Sequence, residues 1–247
     1  MRRYKKIFRV KDSNISEIPP DTEWIDFDDL EFKGTVTPDI FPASTKKIRF
    51  NKIFYQPLKG LISEGVEHVE LGFYSDVELD LGDLPSSLLY IRFDVWFTNM
   101  GKPLKMGVFP NHLKYLNLGS YNQILTPGII PNSVTKIVFE DRFNQPLLPD
   151  SLPKNLKHLV LGKEFNQPIL NEELPNTLIY MKLGKKYTCD IDESILNRVY
   201  INLKIFIEND ELYEKTIEKI QIPFHDYIFN HQKSRLSFLD FMDLSHP

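Results

Sequence analysis

The sequence predicts a β-dominated α/β repeat solenoid: about nine copies of a ~22-residue unit, their strands side by side in one parallel sheet, with a helical cap at the C-terminal end. Three observations carry this. A template P-x-x-L-x-x-L-x-L recurs along the chain at steps of 21 to 25 residues. Its last apolar positions step by two, the period of a half-buried strand. The chain left between copies is too short for a full return helix.

The repeat is plainest in Pro153-Lys-Asn-Leu156-Lys-His-Leu159-Val-Leu161-Gly-Lys-Glu-Phe165-Asn-Gln-Pro168-Ile169 and, 22 residues on, Pro175-Asn-Thr-Leu178-Ile-Tyr-Met181-Lys-Leu183-Gly-Lys-Lys-Tyr187. The proline position falls on Pro19, Pro42, Ser63, Pro85, Pro110, Pro131, Pro153, Pro175 and Asn197. These nine copies define the boundaries: residues 1–18 as an N-terminal cap strand, 19–205 as repeats, and 206–247 as a helical C-terminal cap. Proline before each strand fixes φ and keeps a helix from running into it. Glycine after the strand (Gly72, Gly119, Gly162, Gly184) lets the chain bend away from the sheet. Strands of about six residues are expected, over 156–161, 178–183 and their equivalents. Phe54, Phe143, Phe165 and Tyr187 plug the return path. No single repeat buries its own apolar face; stacked neighbours do.

Both ends need caps. Met1–Lys11 interleaves six basic residues with Ile7, Phe8 and Val10. That pattern reads as a first strand whose charges discourage edge-to-edge pairing. Asp210–Ile220 carries Leu212, Tyr213, Ile217 and Ile220 near helical spacing, with Asp210 as its N-cap and Lys219 late, as the helix dipole prefers. Phe224, Tyr227, Ile228, Phe229, Leu236, Phe238, Leu239 and Phe241 add apolar surface to this lid.

Composition removes several function classes. The 247 residues carry a net charge of -4, so a nucleic-acid partner is not expected. No apolar run nears the ~18 residues of a membrane span, and no signal peptide opens the chain. One cysteine, Cys189, excludes a disulfide framework and points to an intracellular, cytoplasmic setting. No Gly-rich phosphate loop, H-E-x-x-H or G-x-S-x-G is present. His68 and His158 share a repeat position four copies apart, too far to hold one metal, and the Asp76–Asp83 alternation of acid and apolar residues reads as a strand rather than a calcium loop. Asn14-Ile-Ser16 is a chance glycosylation pattern in a chain without a signal peptide. No cofactor or metal is expected, and the chain is not expected to be an enzyme. A site on the C-terminal cap built on His225 or His231 stands as the catalytic alternative.

Phe143-Asn144-Gln145-Pro146-Leu147 and Phe165-Asn166-Gln167-Pro168-Ile169, each set between L-P-x-x-L-x-x-L-x-L units, resemble the FNIP repeat of the leucine-rich-repeat superfamily. That family is abundant in social amoebae and in giant viruses of amoebae. The resemblance is sharp over residues 110–191, and Tyr121-Asn122-Gln123 and Tyr55-Gln56-Pro57 are weaker matches. It implies a curved, right-handed solenoid that binds other proteins. It also implies an alternative, a substrate-recognition subunit of a ubiquitin ligase, because relatives often carry an F-box. Only 18 residues precede the first repeat against the roughly 40 an F-box needs, so that route would run through the C-terminal segment. Within the motif, Asn144 and Asn166 suit a hydrogen-bond ladder between repeats, and Cys189, standing where the motif has Gln, reads as packing.

The residues flanking the second apolar position of each strand point away from the core. One column is Trp24, Lys47, His68, Tyr90, Tyr115, Lys136, His158, Tyr180 and Asn202; its neighbour is Asp26, Arg49, Glu70, Arg92, Asn117, Val138, Val160, Lys182 and Lys204. Six basic side chains oppose two acidic ones on this face of an acidic chain. The expected site is this exposed surface, with His68, Tyr90, Arg92, Tyr115, Asn117, Lys136, His158, Tyr180 and Lys182 contacting an acidic protein.

Overall fold

The computed structural model describes residues 6–11, 15–27, 35–50, 56–72, 78–94, 96–199, 202–219 and 228–229. Eleven short strands form one sheet: β1 (Ile7–Arg9), β2 (Trp24–Asp26), β3 (Lys47–Arg49), β4 (His68–Glu70), β5 (Tyr90–Phe93), β6 (Tyr115–Leu118), β7 (Lys136–Val138), β8 (His158–Val160), β9 (Tyr180–Leu183), β10 (Lys204–Ile207) and β11 (Ile228–Phe229). Strand order follows chain order and every pairing is parallel. The solenoid and its single sheet are thus as the repeat implied, with β2 to β10 from the nine copies and β1 preceding them.

The strands span two to four residues rather than six. The proline carbonyl is the reason. Pro153 O accepts the N–H of Leu156 at 3.0 Å, Pro175 O that of Leu178 at 3.1 Å, and Pro110 O that of Leu113 at 3.1 Å. The first apolar residue of each copy therefore closes a turn before pairing begins. The second enters the sheet: Ile137, Leu159 and Met181 lie side by side in register and all are buried. Burying each such side chain contributes roughly 1.5–3 kcal/mol before entropy is subtracted.

Behind the sheet, the motif aromatics stack from copy to copy. Phe143, Phe165 and Tyr187 are buried with successive ring centroids 5.9 Å apart and planes nearly parallel. Asparagine lies beside them. Asn122 Oδ1 accepts the backbone N–H of Asn144 at 2.9 Å, Asn144 Oδ1 that of Asn166 at 2.9 Å, and Asn166 Oδ1 that of Thr188 at 2.9 Å. Gln145 and Gln167 donate to the same oxygens at 3.1 Å. Each amide oxygen so satisfies two donors of the next copy, which is the ladder the motif suggested. Cys189, in place of Gln, sets its Sγ 3.4 Å from Asn166 Oδ1 and is half-buried. Gly162 permits the tight step: a Cβ there would sit 2.0 Å from Glu140 O.

The ninth copy departs from the expected register. Lys204, not Asn202, pairs with Tyr180, and Phe206, not Lys204, pairs with Lys182. A helix absent from the sequence reading, α1 (Glu193–Val199), fills the preceding turn. A helix advances ~1.5 Å per residue against ~3.3 Å for a strand, so more chain is used before β10 starts. Arg198 ties α1 to the eighth copy by donating to Pro175 O at 2.7 Å. The lid helix α2 (Asp210–Lys219) forms where expected, but its cap is Asn209, whose Oδ1 accepts the N–H of Leu212 at 2.9 Å, with Asp210 in the first turn. Leu212, Tyr213 and Thr216 are its buried face. Asn14, Phe54, Tyr55, Asp76, Phe224, His225, Tyr227, His231, Leu236, Phe238, Leu239 and Phe241 lie outside the described residues.

Candidate functional site

On a strand with its middle residue in the core, the two flanking residues stand on the opposite face. The parallel register aligns them into two columns. The first runs Ile7, Trp24, Lys47, His68, Tyr90, Tyr115, Lys136, His158, Tyr180 and Lys204. The second runs Arg9, Asp26, Arg49, Glu70, Arg92, Asn117, Val138, Val160, Lys182 and Phe206. All nine candidate binding residues therefore lie on one surface.

Their exposure differs from the expectation. Tyr90 is 3% exposed, Tyr115 7%, Lys136 4% and Asn117 2%; His68 is buried as well. His158, Tyr180 and Lys182 are half-buried, and Arg92 is exposed. Stacking is the cause. Tyr90 is sandwiched between His68, at a ring separation of 3.7 Å, and Tyr115, at 4.1 Å with the planes 5° apart. Both faces of its ring are covered by neighbours at the same repeat position. Burial pushes the Tyr90 and Tyr115 hydroxyl pKa values up, so both phenols stay neutral.

Toward the two ends of the sheet, charges pair across strands. Arg49 Nε lies 3.0 Å from Asp26 Oδ1, Lys47 Nζ 2.6 Å from Glu70 Oε1, and Lys182 Nζ 2.7 Å from Glu208 Oε1. Lys47 also sits 4.4 Å from the centre of the Trp24 ring. Asn117 is a brace: it donates to Glu140 Oε1 at 2.8 Å and accepts the N–H of Gly119 at 2.8 Å. In the middle of the face, beside Glu140, aromatic and basic side chains dominate the first column. Lys136 lies 5.6 Å from the Tyr115 ring centre, and the His158 and Tyr180 rings are 6.2 Å apart. Burial lowers the Lys136 pKa to about 8. Burial, then the charges of Lys136 and Lys157, lowers that of His158 to about 4.

Among the described residues no group of three His, Cys, Asp or Glu side chains is placed to hold a metal, and no helix is long and apolar enough to cross a membrane. The signal that sequence reasoning missed was the acid on the neighbouring strand. Asp26 and Glu70 were visible as column members, but their pairing with Arg49 and Lys47 needed the register.

The FNIP repeat family matches residues 99–141, 121–164 and 143–186. No curated protein matches the chain. Among solved structures, the chain is similar to CroV588, a novel circular leucine-rich-repeat (LRR) protein of the giant virus CroV, with 30% identity and a TM-score of 0.69. The match covers 78% of this chain and 28% of that protein, so the chain spans less than a third of its length.

Proposed function

From a chain that carries FNIP repeats in a leucine-rich-repeat-like solenoid, we propose that it is a non-catalytic scaffold whose sheet face, away from the core, binds an acidic segment of another protein. The observation that supports this is the middle of that face. The exposed guanidinium of Arg92 stands beside the stacked Tyr90 and Tyr115, a combination of rigid aromatic area and a charged donor fork that suits interface hot spots. The stack is already ordered, so little side-chain entropy is lost on binding. The partner engages Arg92 and the half-buried Tyr180 and Lys182, with Tyr90 and Tyr115 as the platform beneath.

Selection of a randomised peptide library on the protein tests this. Acidic peptides should be enriched, and Arg92→Glu should lower their affinity at least ~tenfold, with Arg92→Gln lowering it in the same direction as the control for the repulsion a carboxylate would meet from Glu70 and Glu140. Enrichment of peptides without acidic residues, or affinity unchanged in Arg92→Glu, would move the binding surface elsewhere.

A further inference from the structure

The second feature of this face is the juxtaposition of two basic groups on adjacent strands. Lys136 on β7 and His158 on β8 are register partners, with Tyr115 preceding Lys136 and Tyr180 following His158. The groups around them are set by the same register. On β6 stand Tyr115 and Asn117, the latter bonded to Glu140. On β7 and β8, Val138 and Val160 occupy the adjoining column. On β9 stand Tyr180 and Lys182, the latter paired with Glu208, and Lys157 adjoins His158 in the chain.

We propose that Lys136, His158 and Tyr180 form a carboxylate-binding site in the middle of the sheet face, which takes a glutamate side chain of the bound protein. The inference rests on the protein-binding reading of this face and names its anchor. A carboxylate accepts several hydrogen bonds at once, and the ammonium, the protonated imidazole and the phenol all donate. Val138 and Val160 give the site an apolar wall beside the cations, which fits the methylenes of a glutamate and offers nothing to inorganic phosphate. In the free protein burial strips both Lys136 and His158 of water, and the charges of Lys136 and Lys157 weigh further on His158, which is why both hold their protons weakly. An anion between them reverses that effect. Binding therefore takes up a proton on His158 above pH 4, and affinity rises as pH falls from 7.

The probe is an acetyl-capped triglutamate peptide added to the full-length chain, with the His158 ring proton followed by NMR across pH. At saturating peptide the His158 midpoint should rise by at least ~1 pH unit. Lys136→Gln should abolish that rise and weaken binding at least ~tenfold; Lys136→Met, which fills the same volume, guards against a folding artefact. Arg92→Glu should weaken binding yet leave the His158 rise intact at saturation. A peptide that binds, is weakened by Arg92→Glu and leaves His158 unmoved would overturn the carboxylate site while keeping the face. Binding indifferent to both Arg92→Glu and Lys136→Gln would overturn both. No binding of triglutamate, or a His158 shift that inorganic phosphate reproduces in full, would overturn the site as a receptor for glutamate.

Discussion

Tyr90 and Tyr115 lie with ring centroids 4.1 Å apart and planes 5° from parallel, closer than the ~4.8 Å between neighbouring strands. Behind the sheet, Phe143 and Phe165 are 5.9 Å apart at the same near-parallel attitude. The close contact is local to this part of the face, since the His158 and Tyr180 rings two strands further on stand 6.2 Å apart. It explains why Tyr90 and Tyr115 are buried on a face that an isolated strand would leave in water.

The first prediction concerns this stack. Tyr90→Ala and Tyr115→Ala should each cost about 3 kcal/mol of stability, because each leaves a cavity in a packed column. The double mutant should cost less than the sum by about 1 kcal/mol, the coupling expected of a stacked pair. Urea unfolding of the four proteins measures it. Additive losses would mean that the rings are neighbours without interaction, and Tyr→Phe at either site, which keeps the ring but removes a buried hydroxyl's hydrogen bond, should cost only about 1 kcal/mol.

The amide ladder has its own test. Asn144→Ala removes the acceptor for the Asn166 N–H at 2.9 Å and for Gln167 Nε2 at 3.1 Å. A half-buried donor left without its acceptor costs about 1–3 kcal/mol. Hydrogen exchange of the Asn166 amide should quicken in this variant while that of Asn144, whose acceptor is Asn122, stays as it was.

Leu159 sits between Ile137 and Met181 with no exposed surface. Leu159→Asp would bury a carboxylate between two stacked copies and should lower stability by ~4 kcal/mol or more. A melting temperature equal to wild type would contradict the register of the whole sheet.

The pH dependence follows from the two basic groups on the sheet face. His158 titrates at about 4 in the folded chain against an ordinary value of 6.5. The unfolded chain thus binds more protons between those limits, so this contribution is complete above pH 6.5 and lost as pH falls toward 4. Lys136, at about 8 against 10.5, acts in the same sense, its contribution complete above pH 10.5 and lost as pH falls through 8. At neutral pH the buried ammonium is therefore a burden on the fold. Lys136→Met should raise stability at pH 7 by about 2 kcal/mol and flatten its rise between pH 8 and 10. A lower melting temperature in that variant would show that the Tyr115 ring and the rest of the site more than offset the cost of burial.

What the sequence by itself determined is everything carried by the repeat. Leu156, Leu159 and Leu161 encode turn, strand and core within six residues of chain, so strand positions, parallel order, the Phe165–Tyr187 plug and the Asn144–Asn166 ladder were all legible from local periodicity. The same logic misplaced the ninth copy, where α1 between Glu193 and Val199 altered the length of chain needed to reach the sheet. It also placed Tyr90, Tyr115 and Lys136 on the correct face but in the wrong environment. Which way a side chain points is set by its own strand. How much water it sees is set by the neighbours packed at the same position of the copies on either side. The repeat also set Tyr90 beside Tyr115 and Lys136 beside His158. Only the tertiary structure decided how such neighbours meet: the ion pair of Lys47 with Glu70, which crosses from one column to the other, the 4.1 Å stack of Tyr90 on Tyr115, and the burial of Lys136. Side-chain contact depends on the packing of the finished sheet, which the period of the chain does not carry.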